Sequence, residues 1–128
     1  MARWAREEIG DDQVLYLRVH QVKVLNGKLL PNAFDDHDGG MSTDWARYST
    51  PEQSRNRARK PDLNGVVQMG VGSIRKIDEL IVEHTPDEEF DNQAHTDVIG
   101  EKTVEVRVLL RRACSVAISI SGLRDPVY

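Results

Sequence analysis

The first apolar stretch of the chain, VLYLRVHQVKVL at 14–25, alternates apolar and polar residues over its first half. A period of two predicts a β-strand with one apolar and one polar face. The polar face carries Tyr16, Arg18 and His20. The alternation slips after that point, which predicts a bulge near His20–Gln21.

A tight turn follows this strand. Asn26-Gly27 separates it from a second apolar segment at 28–30. Asn-Gly between apolar runs favours a two-residue hairpin turn, because both residues tolerate positive φ. The two segments are therefore predicted to pair antiparallel, and Pro31 ends the second one. The acidic stretch at 31–48 is predicted to be a long loop.

A capped helix is predicted next. Thr50 fits an N-cap, Pro51 fits the first helical position and Gln53 completes a capping box. The helix is predicted over about 51–60, and it is almost devoid of apolar residues. Because so few of its residues are apolar, burial against the rest of the domain cannot by itself stabilise this helix.

The second half of the chain alternates strands with polar turns. Short apolar runs predict strands over 65–71, 79–84 and 95–99. A short helical turn is predicted after Gly72-Ser73. The stretch at 102–117 shows both strand-like alternation and a helical stripe. The stripe, with arginines in its second half, favours a helix.

These elements predict an α+β fold, with an antiparallel sheet of about four or five strands, one main helix on one face and a short polar helix. The 128 residues fit one domain. We expect a single domain over 1–128, with loose arms at about 1–12 and 122–128.

Composition narrows the function class. The net charge is -4 and the sequence pI is about 5.5, which disfavours a nucleic-acid partner. No apolar run is long enough for a membrane span, and we expect no secretory signal, because residues 1–12 lack an apolar core. A single cysteine, Cys114, excludes an internal disulfide and a multi-cysteine zinc site. We therefore expect a cytoplasmic protein that does not associate with membranes.

Charge is unevenly distributed along the chain. The stretch 78–101 holds nine acids and no lysine or arginine, whereas 47–60 holds five bases and one acid. Such blocks face solvent, neutralise one another across the fold, or steer a charged partner to a docking surface. The predicted docking residues are Arg55, Arg57, Arg59 and Lys60.

An enzymatic interpretation remains open. NAD-consuming ribosyltransferases use a strand arginine or histidine to grip phosphate, a Ser-Thr element beside the ribose, and a glutamate. The residues that would carry such a reaction on NAD or a nucleotide are Arg18, His20, Ser42 and His95. The acid would come from Glu79, Glu83 or Glu101. No Gly-rich phosphate loop is present, and we expect no cofactor.

A metal-binding regulator is the third interpretation. Asp35-Asp36-His37-Asp38 places four potential ligands in sequence, but it lacks EF-hand spacing. His20, His84 and His95 lie on or beside predicted strands and could converge, with Asp44 or Asp97 completing a zinc site. We expect a solvated loop and locally bonded histidines instead, and therefore no metal site.

The chain resembles a family of small bacterial proteins without assigned activity. The shared motifs are Ala33-Phe34, Gly40-Met41-Ser42-Thr43-Asp44-Trp45, Ser49-Thr50-Pro51-Glu52, Gly65-Val66-Val67, and Ala94-His95 with Gly100 after it. The resemblance covers about 14–112. It implies a bacterial cytosolic protein, sometimes encoded beside defence or conflict genes. It also implies that 40–52 and 94–100 form one surface, in which we expect Asp44 and Trp45 to contribute to binding.

Taken together, these observations favour a non-catalytic protein-interaction or ligand-binding module of a bacterial multi-protein system. The expected partner is a protein, and homo-oligomerisation is left open. Convergence of Arg18, Ser42, Asp44 and His95 in one concave pocket would favour the enzyme instead.

Overall fold

The computed structural model describes residues 2–37, 39–77, 79–120 and 123. The strands are β1 (Val14–His20), β2 (Val24–Leu25), β3 (Lys28–Leu29), β4 (Met41–Trp45), β5 (Asn64–Gly70), β6 (Ile81–His84), β7 (His95–Ile99) and β8 (Cys114–Ile118). The α-helices are α1 (Pro51–Asn56), α2 (Val71–Arg75) and α3 (Val104–Arg112). Short 3-10 helices span Gln21–Lys23, Pro31–Ala33 and Pro61–Leu63.

Six of the strands form one antiparallel sheet in the order β6-β7-β4-β1-β5-β8, and β2 and β3 form a separate hairpin. The α+β class with a mainly antiparallel sheet is thus confirmed. Among the described residues, the main sheet has six strands instead of four or five, and there are three α-helices instead of two. The first strand in the chain lies in the interior of the sheet, between β4 and β5.

The two additional strands lie where the sequence predicted other structure. β4 crosses the stretch 31–48, which was predicted to be a loop. β8 occupies the end of the predicted helix over 102–117, of which only Val104–Arg112 is helical. The polar helix predicted over 51–60 ends at Asn56.

Two local predictions are confirmed in detail. Asn26 and Gly27 have φ of 53° and 80°, as a tight hairpin between β2 and β3 requires. The Thr50 side chain accepts a hydrogen bond from Gln53 N, and the Gln53 side chain accepts one from Thr50 N. The bulge predicted near His20–Gln21 is replaced by a 3-10 helix at Gln21–Lys23, which ends β1 at His20.

The core lies on the face of the sheet that carries Leu15, Leu17 and Val19. Its largest fully buried side chains include Trp45, Phe34, Leu15, Leu29, Met41 and Met69. Leu110 of α3 belongs to the same cluster, and α3 packs against the turn at Pro31–Ala33. The opposite face of β1 and β5 is covered by α1. The contact includes Arg18 of β1, whose Nη1 donates to Ser54 O of the helix at 3.1 Å.

The N-terminal segment runs along the molecule without helix or strand. Ile9 is buried in the core, Glu7 N donates to His84 Nδ1 at 3.0 Å, and Arg6 pairs with Glu83 at 2.6 Å. The arm expected at about 1–12 is thus in contact with the sheet at these points. Of the other expected arm, at 122–128, only Leu123 lies within the described residues. Within the described ranges, no helix is long and apolar enough to cross a membrane.

Candidate functional site

The sheet splits beside β1. On one side, all seven residues of β1 pair with β5, from Val14↔Gly70 to His20↔Asn64. On the other side, β1 and β4 pair at two positions, Leu15↔Trp45 and Tyr16↔Asp44. If that register continued, Arg18 would lie opposite Ser42. The two strands instead separate there, and we call this opening the fork.

A cavity of about 390 Å³ occupies the fork. Its polar lining comes from both strands, from β7 and from the segment at 31–37. The polar lining side chains are Tyr16, Arg18, His20, Lys23, Asn32, Asp35, His37, Ser42, Thr43, Asp44, Ser54, Asn64, Asn92 and His95. A concave site with several convergent polar groups is the usual form of a small-molecule site.

The cavity brings together four of the residues named for the enzymatic interpretation. Arg18 and His20 come from β1, Ser42 from β4 and His95 from β7. β4 and β7 are neighbours, in the register Ser42↔Asp97 and Asp44↔His95. This pairing places residues 41–44 beside residues 95–98 on the sheet.

Asp44 forms the closed end of the fork. Its carboxylate is buried and accepts hydrogen bonds from Ser54 Oγ at 2.6 Å and Asn92 Nδ2 at 2.8 Å. Arg57 Nη1 lies 3.1 Å from Asp44 Oδ2, and Arg18 Nη1 lies 4.0 Å from it. A buried carboxylate needs this many partners because its charge is poorly solvated. The cluster joins β1, β4 and α1.

Arg18 extends from this cluster into the cavity. Its Nη1 donates to Ser54 O at 3.1 Å, and its side chain keeps 34% of its surface exposed. Burial lowers the pKa of the Arg18 guanidinium, the Asp44 carboxylate raises it, and the Arg57 charge lowers it. An arginine stays protonated at physiological pH regardless of such shifts. Arg18 therefore supplies a fixed positive charge at the cavity wall.

His95 connects β4 to the end of β6. Its Nε2 lies 3.2 Å from Ser42 Oγ, and its Nδ1 lies 2.9 Å from the carbonyl oxygen of Thr85. Thr85 Oγ1 donates to Asp97 Oδ2 at 3.2 Å. His95 is thus hydrogen-bonded on both sides of its ring.

The residues of the predicted docking surface are used in different ways. Arg57 pairs with Asp44, and Arg55 donates to Pro61 O at 3.0 Å. Arg59 and Lys60 are exposed. Trp45, expected in the binding surface, is 1% exposed and packs in the core. Two of these four basic residues therefore make contacts within the fold.

Other candidate groups lie away from the fork. His84 is buried, with Nε2 2.7 Å from Gln93 O, and it stacks with Tyr48. Cys114 is buried on β8, and burial raises the pKa of its thiol from 9.0 to about 12. Such a thiol is unreactive at neutral pH.

The acidic loop is neutralised by lysine and arginine. Asp35 pairs with Arg107 at 2.9 Å, and Asp36 with Lys102 at 2.8 Å. In the part of the chain that the structure describes, no group of three or more His, Cys, Asp or Glu residues is placed to hold a metal ion. Asp38 of the candidate metal loop lies outside the described residues.

Several participants in the site were not singled out from the sequence, and Ser54, Thr85 and Asn92 make the contacts used above. Ser54 gave one usable signal, since it lies in the first turns of the capped helix that must pack on the sheet. Asn92 lies in a polar loop, and its contact with Asp44 depends on long-range folding. Thr85 acts partly through its backbone carbonyl, which carries no sequence signal.

Comparison with known proteins gave no match to any family model, to any curated protein or to any solved structure. The interpretation of the site therefore depends on its own geometry and charge.

Proposed function

We propose that this chain is a ligand-binding module whose fork cavity takes a small anionic molecule. The observation that carries the proposal is the convergence of Arg18, His20, Ser42 and His95 on one cavity, at a point where two neighbouring strands separate. Four side chains from three strands have no need to meet for the stability of a sheet. Their convergence supports a role in binding.

The charges around the cavity favour an anion. Its lining holds two carboxylates, and each is already paired: Asp44 with Arg57 and Arg18, Asp35 with Arg107 and Lys23. Arg18 and Lys23 line the cavity, while Arg57 and Arg107 pair with the same two carboxylates from outside the lining, so both carboxylates are neutralised although the chain as a whole carries -4. Field lines concentrate in such a cleft and attract an oppositely charged ligand.

The size of the cavity limits the ligand. A volume of about 390 Å³ is near the lower end of small-molecule sites. It suits a molecule of mononucleotide size or smaller, in which a phosphate or carboxylate meets Arg18 and polar atoms meet the asparagine side chains. Arginine is the side chain best suited to such oxyanions, because its donors form a planar fork.

The bacterial resemblance supplies the wider setting of the proposal. In it, the module serves a bacterial multi-protein system and works in the cytoplasm. The ligand would then be a small signal or metabolite within that system.

The same convergence favours a second candidate, a small enzyme acting on a nucleotide. Its ribosyltransferase-like form receives less support than the residue set alone suggests. None of Glu79, Glu83 and Glu101 is among the described residues that line the cavity. The glutamate that this mechanism uses is therefore missing from the described lining of the cavity.

The test is a titration followed by amide NMR, with AMP and inorganic phosphate as probes. We expect shifts at β1 residues 16–20, at 42–44 and at 92–95. Arg18→Gln should weaken AMP binding by about tenfold or more, the effect of removing one charge-assisted contact. Its matched control is Arg59→Gln, which removes an exposed arginine outside the cavity.

The outcomes separate clearly. The proposal is supported if chemical-shift changes are confined to the fork residues and AMP binding is weakened by Arg18→Gln but not by Arg59→Gln. Equal weakening by Arg59→Gln would indicate nonspecific attraction of an anion to basic surface. A spectrum unchanged by either probe would reject an anion site in the fork.

A further inference from the structure

One pair of side chains in the fork is arranged for chemistry. Nδ1 of His95 faces the Thr85 carbonyl oxygen at 2.9 Å, and a carbonyl oxygen can only accept a hydrogen bond. Thr85 Oγ1 lies 3.0 Å from the same Nδ1 and gives its own proton to Asp97 Oδ2, so both Thr85 oxygens can accept from this nitrogen. This arrangement assigns the ring proton to Nδ1 and leaves the lone pair on Nε2. Ser42 Oγ lies 3.2 Å from Nε2 and, with the ring proton on Nδ1, donates to it. The hydroxyl is thus bonded to a base in the tautomer that can accept its proton.

We infer that Ser42 and His95 form a nucleophile–base pair for acyl transfer from a small anionic ester, an inference that rests on the proposed binding of an anion in the fork. A hydroxyl bonded to a base, with the base oriented by a third group, is the arrangement that activates serine nucleophiles. Here the third group is the Thr85 carbonyl instead of a carboxylate. Both reacting side chains line the cavity, so a bound molecule can reach them.

A carboxylate lies near the imidazole ring that would become positively charged during the reaction. Asp97 Oδ1 lies 3.9 Å from His95 Nε2, and Asp97 Oδ2 accepts a hydrogen bond from Thr85 Oγ1. When His95 takes up a proton, the resulting imidazolium is stabilised by this neighbouring negative charge. Thr85 and Asp97 are therefore positioning residues for the pair.

Arg18 supplies the selectivity for an anionic substrate. It would stand opposite Ser42 if the β1–β4 register continued, and it lines the same cavity. An ester that carries a carboxylate or phosphate can place that group on the guanidinium while its carbonyl carbon approaches Ser42. Such fixed placement is a major source of rate in enzyme reactions.

The proposed reaction is ester hydrolysis in two balanced steps. Ser42 Oγ bonds to the carbonyl carbon while its proton passes to His95 Nε2. The bond to the leaving alcohol breaks, and His95 returns the proton to that oxygen. Water then attacks the acyl-serine, gives its proton to His95 and displaces Ser42 Oγ, which recovers a proton. One ester and one water become one carboxylic acid and one alcohol.

The first test measures the nucleophile. The full chain is incubated with diisopropyl fluorophosphate, and its intact mass and peptide map are recorded. We expect one adduct, formed at Ser42 with loss of fluoride. Ser42→Ala should take up none, and His95→Gln should slow labelling about 10²- to 10⁴-fold, the usual contribution of a general base. The matched control is Ser73→Ala, which removes an exposed serine of α2 and should label at the rate of the unmodified chain.

The second test measures selectivity. Hydrolysis of p-nitrophenyl acetate is compared with that of p-nitrophenyl succinate, whose free carboxylate is the anionic group. We expect the succinate to be favoured by about tenfold, and this preference to disappear in Arg18→Gln. A thermal melt of each variant shows that it is folded.

Each result decides between the two proposals. No adduct on the folded chain, or an adduct that persists in Ser42→Ala, overturns the nucleophile, and AMP shifts in the fork would then still support binding. Labelling of Ser42 without any response to AMP or phosphate supports the nucleophile and rejects the anionic ligand. Equal hydrolysis of the two esters overturns the assignment of Arg18.

Discussion

Strand β1 pairs to different extents with its two neighbouring strands. Toward β5 it is a regular ladder of seven pairs, whereas toward β4 it pairs at two positions and then separates. The paired side stabilises the fold through apolar contacts and backbone hydrogen bonds. The forked side exposes polar side chains to a cavity. One strand thus supports both the stability of the sheet and the geometry of the site.

The polar face of β1 links these roles. Arg18 pairs with Val66 across the regular ladder and reaches Asp44 and Ser54 on the forked side. Because α1 covers this face, the polar groups lie in a partly buried setting where their interactions are stronger than in water. The difference between the two sides of β1 can be tested by changes confined to each side.

The largest effect is expected at the closed end of the fork. Asp44→Ala removes the carboxylate that Ser54, Asn92 and Arg57 share, and leaves these donors without their acceptor. We expect a loss of about 3 kcal/mol in the free energy of unfolding, the lower end for breaking a buried ion pair, because Arg57 keeps partial access to solvent. Urea unfolding measures it. A loss below that of an ordinary surface substitution would show that the cluster does not hold the fork.

On the paired side, a single glycine provides the test. A Cβ at Gly65 would lie 2.7 Å from the backbone oxygen of Ile118, whereas a Cβ at Gly70 meets nothing closer than 3.8 Å. Gly65→Ala should therefore push β8 away and cost on the order of 1–3 kcal/mol, as overpacking does. Gly70→Ala, on the same strand, should change stability by no more than roughly 0.5–1 kcal/mol. Similar melting temperatures for the two variants would contradict the close β5–β8 approach.

Cys114 gives a pH-dependent test of the same side. Its pKa rises to about 12 in the folded chain, so the unfolded thiol loses its proton first as pH increases above 9. The stability that this group contributes is complete below pH 9 and is lost as pH rises toward 12, at up to about 1.4 kcal/mol per pH unit. The difference in unfolding free energy between the native chain and Cys114→Ala should therefore shrink from pH 8.5 to 10.5. A constant difference would mean that the thiol is solvated.

The smallest effect is expected at the start of the helix that covers the fork. Thr50→Ala removes the N-cap hydrogen bond to Gln53 N and should cost about 1 kcal/mol. Thr50→Ser and Thr50→Asp keep an acceptor and should cost little. Thermal melts of the three variants rank them. Equal losses would assign Thr50 a role other than capping.

The local elements of this fold could be predicted from sequence because their signals are local. The Asn26-Gly27 turn, the capping box at Thr50 and the alternation in β1 each depend on a few adjacent residues. β4 could not be found in this way. Its polar residues, Ser42 and Asp44, line the cavity, so it lacks the branched apolar pattern of an ordinary strand.

Strand β8 could not be predicted from the sequence pattern because helix α3 directly precedes it. Only Ala113 separates the end of α3 from the start of β8, without the glycine or proline that marks most boundaries. The helical stripe therefore continued into the strand. Arg18, His20, Ser42 and His95 could be named from the sequence, and they line one cavity, but the fork itself depends on where β1 and β4 stop pairing. The point of separation depends on contacts between residues distant in sequence, including the hydrogen bond from Asn92 to Asp44.

The position of β1 also has a consequence for how the molecule folds. β1 lies in the interior of the sheet, and both of its neighbours, β4 and β5, come later in the chain. Leu15 must wait for Trp45 on one side and Met69 on the other. Each pairing closes a long loop, and topologies dominated by such distant pairs fold in milliseconds to seconds. The β2–β3 hairpin can form early because its ends are adjacent. The apolar face of β1 is therefore fully packed only after residues up to Gly70 have joined the sheet.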